Sequence, residues 1–319
     1  MIITILLMLV GFYLLYKGAD LLVDGSTSVA ARLGVSDFVV GMTVVAFGTS
    51  LPELFVSVIG SIRGTTDLVV GNIVGSCSIN IFVILGIASV IYPLAVRKGA
   101  VWKEIPFTLG AAAFLAFLAN NWFVGVPETL MISRMDGAIL LLLFAGFIAY
   151  AMCIARADGE RGDALMKRLT MPRAAAYIVL GLVGLFLGAR WIIDGAVAIA
   201  LFLGIGEKFV GLTIVAMGTS LPELAASAVA AYKKNAEIAV GNVVGSNIFN
   251  ILLVLGVGAL IRPMPFPRSG NVDIAMATLG SLMLFAFMFT GKRHKLDRWE
   301  GVMFLILYAA YLTFLILQG

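Results

Sequence analysis

The sequence GMTVVAFGTSLPE, Gly41–Glu53, returns 170 residues later as GLTIVAMGTSLPE, Gly211–Glu223. Ten of the thirteen positions are identical. Each copy places one glutamate, Glu53 or Glu223, within an otherwise apolar run. A carboxylate in the apolar interior of a membrane costs on the order of a few kcal/mol. Two such residues at equivalent positions therefore predict one functional site to which both halves of the chain contribute.

The composition is typical of a protein in a lipid bilayer. Of the 319 residues, 61% are hydrophobic and only 13% are charged, and apolar stretches of roughly 17–25 residues, long enough to cross a bilayer, recur along the chain. The N-terminal stretch has no basic residue before its apolar run, so we interpret it as a membrane span and not as a signal peptide. The pattern predicts an all-α integral membrane protein with ten transmembrane helices, numbered spans 1 to 10, at about 2–23, 38–62, 68–91, 101–119, 136–154, 174–197, 208–232, 237–260, 271–290 and 299–317.

The internal repeat extends well beyond the opening motif. Gly71–Asn80, GNIVGSCSIN, matches Gly241–Asn250, GNVVGSNIFN, again 170 residues apart. The two halves are residues 1–154 and 174–319, and the polar linker 155–173 joins them. Because each half holds five spans, an odd number, the second half enters the membrane from the opposite side. The sequence therefore predicts two inverted five-helix repeats.

The basic residues of the loops indicate the orientation. With the N-terminus outside, the inward-facing loops carry fifteen Lys and Arg residues and the outward-facing loops carry five. Cytoplasmic loops are the ones enriched in these residues. Both termini are therefore predicted to lie outside the cell (inner) membrane, and the linker 155–173 is predicted to be cytoplasmic.

The repeated motifs contain residues that interrupt helices. Gly48 and Pro52 in span 2, like Gly218 and Pro222 in span 7, weaken or remove backbone hydrogen bonds near the middle of the membrane. The Gly-Asn and Asn positions of spans 3 and 8 have a similar character. Broken backbone survives in a bilayer only where protein or a polar cavity satisfies it. We therefore expect broken helices 2, 3, 7 and 8 around a binding site at the bilayer midplane.

The polar groups of the motifs all bind through oxygen. They comprise two carboxylates, six hydroxyl groups, two side-chain amides and the backbone carbonyls that the breaks release. No histidine or cysteine pair accompanies them, so the set favours hard cations over zinc or copper. Two carboxylates balance one divalent cation, and a flexible oxygen cage dehydrates Ca²⁺ more readily than Mg²⁺. Na⁺ takes similar ligands, so the same cage can hold either ion.

GTSLPE occurring twice, each time followed by GNxVGSxxxN, resembles the paired signature of the cation/calcium exchanger superfamily, and most closely that of the prokaryotic sodium/calcium exchangers. The resemblance covers nearly the whole chain. It implies that the cation ligands are the backbone carbonyls of Ala46 and Ala216 and the side chains of Thr49, Ser50, Glu53, Ser76, Asn80, Thr219, Ser220, Glu223, Ser246 and Asn250. Some members have Asp at the position of Asn250, and that acid is associated with potassium use, so the asparagine implies K⁺ independence.

These features predict a secondary antiporter that exchanges Na⁺ for Ca²⁺, and we expect the exchange to be electrogenic. The alternative is a H⁺/Ca²⁺ antiporter, because buried glutamates also bind protons. A cation channel fits an inverted pair poorly. An intramembrane hydrolase that uses Ser50 or Ser220 lacks a His or Lys base at comparable depth. We expect no enzyme activity, cofactor, nucleic acid or obligate protein partner; the partners are the two transported ions and the bilayer.

Several residues also have simpler structural interpretations. Asn72 and Asn242 are expected to hold the interrupted helices together and not to contact the ion. Asp24 and Asp194 lie near span ends with Lys17, Asp20 and Arg190 close by at helical spacing, so they are expected to take part in local ion pairs with the basic residues. Five glycines within spans are expected to serve helix packing, namely Gly11, Gly110, Gly146, Gly181 and Gly184. Spans 1 and 6 carry few motif residues and are candidates for a sliding element.

Overall fold

The computed structural model describes residues 2–120, 130–157, 169–203, 216–268, 270–290 and 294–318. Almost all of these residues are helical. The α-helices are Ile2–Leu33, Asp37–Val40, Ala46–Thr49, Leu51–Arg63, Thr66–Ser78, Gly86–Ile91, Lys98–Trp102, Glu104–Ala119, Arg134–Ala157, Met171–Phe202, Ala216–Thr219, Leu221–Tyr232, Ala236–Ile248, Leu255–Ile261, Gly270–Phe287 and Arg298–Gln318. The π-helical segments are Gly41–Val45, Ile79–Leu85 and Phe249–Val254.

The predicted spans agree with these helices over most of the described residues. Within the described residues, eight helices are long and apolar enough to cross a membrane, and the bent pair Asp37–Thr49 and Leu51–Arg63 makes a ninth candidate. The predicted span 7, 208–232, begins outside the described residues, and its described part is Ala216–Tyr232. The count of ten therefore stays a prediction. In the most apolar 18-residue stretch of each helix, 78% of the residues are buried in spans 3 and 8 but only 22% in span 1. Spans 3 and 8 therefore form the centre of the bundle.

The break predicted in span 2 is confirmed, and its counterpart in span 7 has the same geometry. Ser50 has φ −84° and ψ 4°, outside the helical range, and the two helices that meet there are inclined at 43°. Ser220 has φ −87° and ψ 4°. In both motifs proline lies in the first turn of the helix that follows the break, where its missing N–H has no intrahelical partner to lose. The same residues thus start a new helix twice in the same way.

The breaks predicted in spans 3 and 8 are wrong. Each span continues as a single helix, Thr66–Ile91 and Ala236–Ile261, but widens into the π-helical segments Ile79–Leu85 and Phe249–Val254. No proline interrupts either segment, so the backbone accommodates an extra residue without breaking. Asn80 and Asn250 are each the second residue of a π-helical segment. Such segments are frequently found at functional sites.

Spans 1 and 6 run antiparallel, and their backbones touch along a seam of glycines. Gly11 lies against Gly188, Gly18 against Gly181, and Gly25 against Ala174. A Cβ atom placed at Gly18 would lie 2.6 Å from the backbone nitrogen of Leu185 and 2.7 Å from the carbonyl of Gly181. Small residues at a helix interface permit this approach, so the packing role expected for Gly11, Gly181 and Gly184 is confirmed. The packing role expected for Gly110 and Gly146 is wrong, because a Cβ atom at either position would meet no atom within 4 Å among the described residues.

Two short antiparallel strand pairs join loops of different halves. Leu94–Ala95 pairs with Lys295–Leu296, and Met131–Ile132 pairs with Met264–Pro265. Leu94–Ala95 and Met264–Pro265 are repeat equivalents, 170 residues apart. Each pair therefore connects a loop that follows one half's third span to a loop that precedes the other half's fifth span.

The charged residues near the ends of spans 1 and 6 differ between the halves. Arg190 and Asp194 form the expected local pair at 3.8 Å, and both are exposed. Lys17 and Asp20 also pair, at 3.4 Å. The local pairing expected for Asp24 is wrong, because it binds the distant Lys233 at 2.7 Å. Lys233 also reaches Asp20 at 2.6 Å, so it ties the loop after span 7 to span 1.

The glycine seam makes a testable prediction about stability. Gly18→Ala should lower the free energy of unfolding by about 1–3 kcal/mol, because the added methyl group meets backbone atoms that cannot rotate away. Thermal unfolding of the detergent-solubilised protein measures the change. Gly110→Ala is the matched control, since a Cβ there has no atom within 4 Å. Equal melting temperatures for the two variants would contradict this description of the seam.

Candidate functional site

The two glutamates of the repeated motif occupy equivalent positions at helix starts. Glu53 is the third residue of Leu51–Arg63, and Glu223 is the third residue of Leu221–Tyr232. The first turn of a helix presents unpaired N–H groups and the positive end of the helix dipole, which stabilise a carboxylate. Glu53 is 0% exposed and Glu223 is 1% exposed. The chain therefore buries two acids completely and supports each with a helix N-terminus.

Hydrogen bonds between the halves assemble the predicted residues into one cluster. Ser50 Oγ donates to Glu223 Oε1 at 3.2 Å. Ser220 Oγ donates to Ser76 Oγ at 3.3 Å. Glu53 and Glu223 are close enough for their charges to repel each other. Five of the predicted residues thus meet at a single place between the repeats.

The threonines of the motifs contact asparagines of the opposite half. Thr49 Oγ1 donates to Asn242 Oδ1 at 3.1 Å, and Thr219 Oγ1 donates to Asn72 Oδ1 at 3.2 Å. Asn242 also donates to Ser227 Oγ at 2.9 Å and to the carbonyl of Glu223 at 3.3 Å. These bonds agree with the structural role expected for the two asparagines, which is to hold the motif helices in place.

Close backbone packing brings span 8 against the motif of span 2. A Cβ atom placed at Gly245 would lie 2.3 Å from the carbonyl of Met42, and one at Gly241 would lie 2.6 Å from the carbonyl of Phe38. Only glycine allows the two backbones to approach this closely. The glycines of GNVVGS therefore set the separation between the helix that carries Ser246 and Asn250 and the helix that carries Glu53.

Many oxygen atoms of the cluster have no hydrogen-bond partner among the described residues. They are both carboxylate oxygens of Glu53, Oε2 of Glu223, Oδ1 of Asn80, Oγ of Ser246 and Oδ1 of Asn250. Within the same residues, neither glutamate forms an ion pair with Lys or Arg. Buried polar atoms normally have partners, and a buried charge requires compensation. A cation bound among these atoms would satisfy both requirements.

The backbone carbonyl of Ala46 is occupied in this structure. It accepts a hydrogen bond from Ser50 N at 3.0 Å, because the helix breaks only after this turn is complete. It also lies 3.3 Å from Thr49 Oγ1, whose single proton it shares with Asn242 Oδ1. An ion contact at Ala46 would therefore replace one of these bonds. In the second half Ser220 N donates to Met217 O at 3.3 Å. Ala216 is the first residue described there, and its side chain lies outside the described part.

Sequence reasoning missed two polar residues of the cluster, Asn247 and Ser227. Asn247 Oδ1 accepts from Asn80 Nδ2 at 2.9 Å, and both residues are 1% exposed. The repeat places Cys77 at the position equivalent to Asn247. A comparison that looked for residues shared by the two halves therefore did not identify Asn247. A search for positions where the halves differ within the motifs would have found it.

A cavity of about 220 Å³ leads to the cluster. Its lining includes Ile192 and Ile193 of span 6, Ile79 and Val83 of the span 3 π-helical segment, and Ser220 at the break in span 7. Almost all of its lining is apolar, and Ser220 is the polar group that it reaches. The cavity therefore places open volume beside the break and between the central helices and span 6.

The helices and buried polar cluster define the class: the chain is a multi-pass helical membrane protein. Comparison with known proteins identifies the family. The model of the sodium/calcium exchanger protein family matches residues 3–153 and 173–317, and the chain belongs to this family. Its members and structural neighbours are membrane antiporters and not enzymes.

The relatives are similar over almost their full length. The putative antiporter CaxA of Alkalimonas amylolytica is 34% identical, covering 98% of each chain. The sodium/calcium exchanger MaX1 of Methanosarcina acetivorans is 31% identical, also over 98% of each chain. A solved structure of the sodium-calcium exchanger NCX_Mj, soaked with Na⁺ and Ca²⁺, is 35% identical, covers 98% of each chain and has a TM-score of 0.85.

The unpartnered oxygens predict that Ca²⁺ stabilises the folded protein. At a free Ca²⁺ concentration of ~100 times the Kd, the gain in unfolding free energy is about 2.7 kcal/mol. The melting temperature in detergent, measured in Ca²⁺ and after chelation, records the gain. Mg²⁺ at the same concentration should give a smaller rise, because it dehydrates more reluctantly. Equal melting temperatures with and without Ca²⁺ would contradict a cation site.

Proposed function

We propose that the protein is a secondary active antiporter that exchanges Na⁺ for Ca²⁺ by alternating access. The observation that carries the proposal is the pair of completely buried glutamates, one from each half, joined through the Ser50–Glu223 hydrogen bond. MaX1 and NCX_Mj, two of the relatives described above, are named as sodium/calcium exchangers. The donors are the twelve residues predicted from the sequence, and the ion site lies near the bilayer midplane.

The charge of the site explains why the two fluxes are coupled. With no cation bound, the site holds two buried carboxylates that repel each other. Moving this arrangement across the membrane is costly, because neither charge is compensated. Ca²⁺ neutralises both carboxylates, and Na⁺ ions compensate them in turn. The transporter therefore changes access readily only when loaded, and each Ca²⁺ that leaves must be replaced by Na⁺.

The neutral amide of Asn250 supports an exchange that does not use K⁺. It leaves the site with two formal negative charges, those of Glu53 and Glu223. One Ca²⁺ balances these charges completely, so no further monovalent cation is required with it. If more than two Na⁺ ions replace each Ca²⁺, the cycle carries net charge and responds to the membrane potential. We propose this electrogenic form.

The packing supports the proposed inverted repeats, 1–154 and 174–319. Equivalent spans of one repeat and its inverted copy must run in opposite directions, as spans 1 and 6 do along their glycine seam. The repeat also relates the two strand pairs to each other, because it places each strand of one pair at the position of a strand of the other. The pairs are Leu94–Ala95 with Lys295–Leu296 and Met131–Ile132 with Met264–Pro265. The distribution of Lys and Arg supports external termini and a cytoplasmic linker 155–173.

The ion pairs of span 1 support an access change that is asymmetric at this stage of the cycle. Lys233 binds Asp20 and Asp24 and so fastens span 1 at the proposed cytoplasmic end. The repeat equivalents of Lys233 and Asp24 are Arg63 and Asp194, yet among the described residues Asp194 pairs only with its neighbour on the same helix, Arg190, and both are exposed. We propose that this structure is closed toward the cytoplasm, and that spans 1 and 6 slide together to exchange the two arrangements.

Loss of either glutamate should abolish exchange. In membrane vesicles, Glu53→Gln or Glu223→Gln should reduce Na⁺-gradient-driven ⁴⁵Ca²⁺ uptake at least 100-fold, because the amide removes half of the charge that compensates Ca²⁺. Glu104→Gln is the matched control, since Glu104 is also a buried acid of a span, but it binds Tyr150 at 2.8 Å. It should retain uptake. Substantial uptake by either motif variant, at normal protein level, would refute the site.

The driving ion separates the proposal from H⁺/Ca²⁺ exchange. Proteoliposomes loaded with Na⁺ and diluted into Na⁺-free medium should take up Ca²⁺, because the site releases internal Na⁺ to the outside, binds external Ca²⁺ there and carries it inward. An imposed pH gradient without Na⁺ should give uptake no greater than that of Glu53→Gln proteoliposomes. Uptake that follows the pH gradient and ignores Na⁺ would favour the proton-coupled alternative.

A further inference from the structure

Asn247 occupies a position at which the two repeats differ. It lies in span 8, one residue after Ser246, and its repeat equivalent is Cys77, one residue after Ser76. Its side chain is 1% exposed and forms two hydrogen bonds, both to span 3. Asn247 Nδ2 donates to the carbonyl of Cys77 at 3.3 Å, and Asn247 Oδ1 accepts from Asn80 Nδ2 at 2.9 Å.

The direction of these bonds follows from their chemistry. The carbonyl of Cys77 can only accept, so the group of Asn247 that faces it must be the NH₂ group. The Asn247 oxygen then faces Asn80, and Asn80 must present its own NH₂ group to it. The Asn80 oxygen is thereby turned away from span 8. A backbone carbonyl thus determines the orientation of two successive side-chain amides.

The outcome for Asn80 is an oxygen that is available to a cation. Asn80 Oδ1 is buried and has no hydrogen-bond partner among the described residues. Were the amide rotated by half a turn, a donor that repels cations would take the place of that oxygen. We propose that Asn247 is a positioning residue for transport, which holds Asn80 with its oxygen toward the transported cation. This inference rests on the proposed function and adds a residue to it.

The other half has no equivalent device. Cys77, at the equivalent position, has no amide with which to orient Asn250, and both amide atoms of Asn250 lack partners among the described residues. Among the described residues, no hydrogen bond therefore fixes the orientation of the Asn250 amide, whereas one fixes that of Asn80. Two halves that look alike in their motifs thus offer one preoriented amide oxygen and one adjustable amide, and the preoriented oxygen loses less entropy when it binds.

A purely structural role for Asn247 would be to hold spans 3 and 8 together. The chain provides a matched control, because Asn120 and Asn271 form a reciprocal amide pair between spans 4 and 9, at 2.8 and 3.0 Å, away from the cluster. Removing that pair removes comparable hydrogen bonds between two spans. It leaves every predicted cation ligand unchanged.

The test measures Na⁺-gradient-driven Ca²⁺ uptake in proteoliposomes as a function of Ca²⁺ concentration. Asn247→Leu, and Asn247→Cys in case the first variant fails to fold, should raise the KM for Ca²⁺ about tenfold and change kcat less than twofold. Asn271→Leu should lower the melting temperature by a comparable amount and leave KM unchanged. A KM unchanged by the Asn247 variants, or raised equally by Asn271→Leu, would overturn the proposal.

A second background removes the dependence on amide orientation. Asp has two equivalent oxygens, so in Asn80→Asp no rotation of the side chain can hide the ligand. Asn247→Leu should then change KM less than twofold relative to Asn80→Asp alone. A tenfold rise in that background as well would overturn the positioning role. Failure of the proposed function is distinguishable, because wild-type proteoliposomes would then show no more uptake than those with Glu53→Gln.

Discussion

Two like charges buried side by side are the constraint on which this structure depends. Glu53 and Glu223 are withdrawn from solvent completely, have no basic partner among the described residues, and repel each other. Such a pair is tolerable only if the surroundings stabilise it in part and a mobile cation completes the compensation. The helix breaks supply the first contribution by placing each carboxylate in the first turn of a helix. The second contribution comes from a cation that binds and leaves again, which makes the cluster suited to transport.

The neighbouring polar residues complete this arrangement by joining the halves. Five of the six motif hydroxyls, those of Ser50, Ser76, Ser220, Thr49 and Thr219, form hydrogen bonds with the opposite half. The site therefore exists only when the halves are assembled. Since buried amides and hydroxyls are costly to leave unpaired, the same bonds that shape the site also specify how the repeats pack. Binding and folding depend on one set of contacts.

The sequence predicted those features that a residue type dictates locally. Proline and glycine in GTSLPE led to the break at Ser50, and the glutamates led to the buried pair. The π-helical segments were missed because an extra residue in a helical turn has no characteristic residue, and Asn80 and Asn250 looked like break positions instead. The partner of Asp24 was missed because Lys233 is 209 residues away. Asn247 was missed because the repeat pairs it with a cysteine, so the asymmetry concealed its role.

The two strand pairs restrict how the halves can move. Each ladder is a crosslink of backbone hydrogen bonds between a loop of the first half and a loop of the second. Opening the halves like a clamshell would shear these ladders and expose their amides. The spans next to the ladders, 3, 5, 8 and 10, are therefore coupled into one frame. Spans 1 and 6 contribute no strand to either ladder, so the two ladders do not restrain the sliding proposed for these spans.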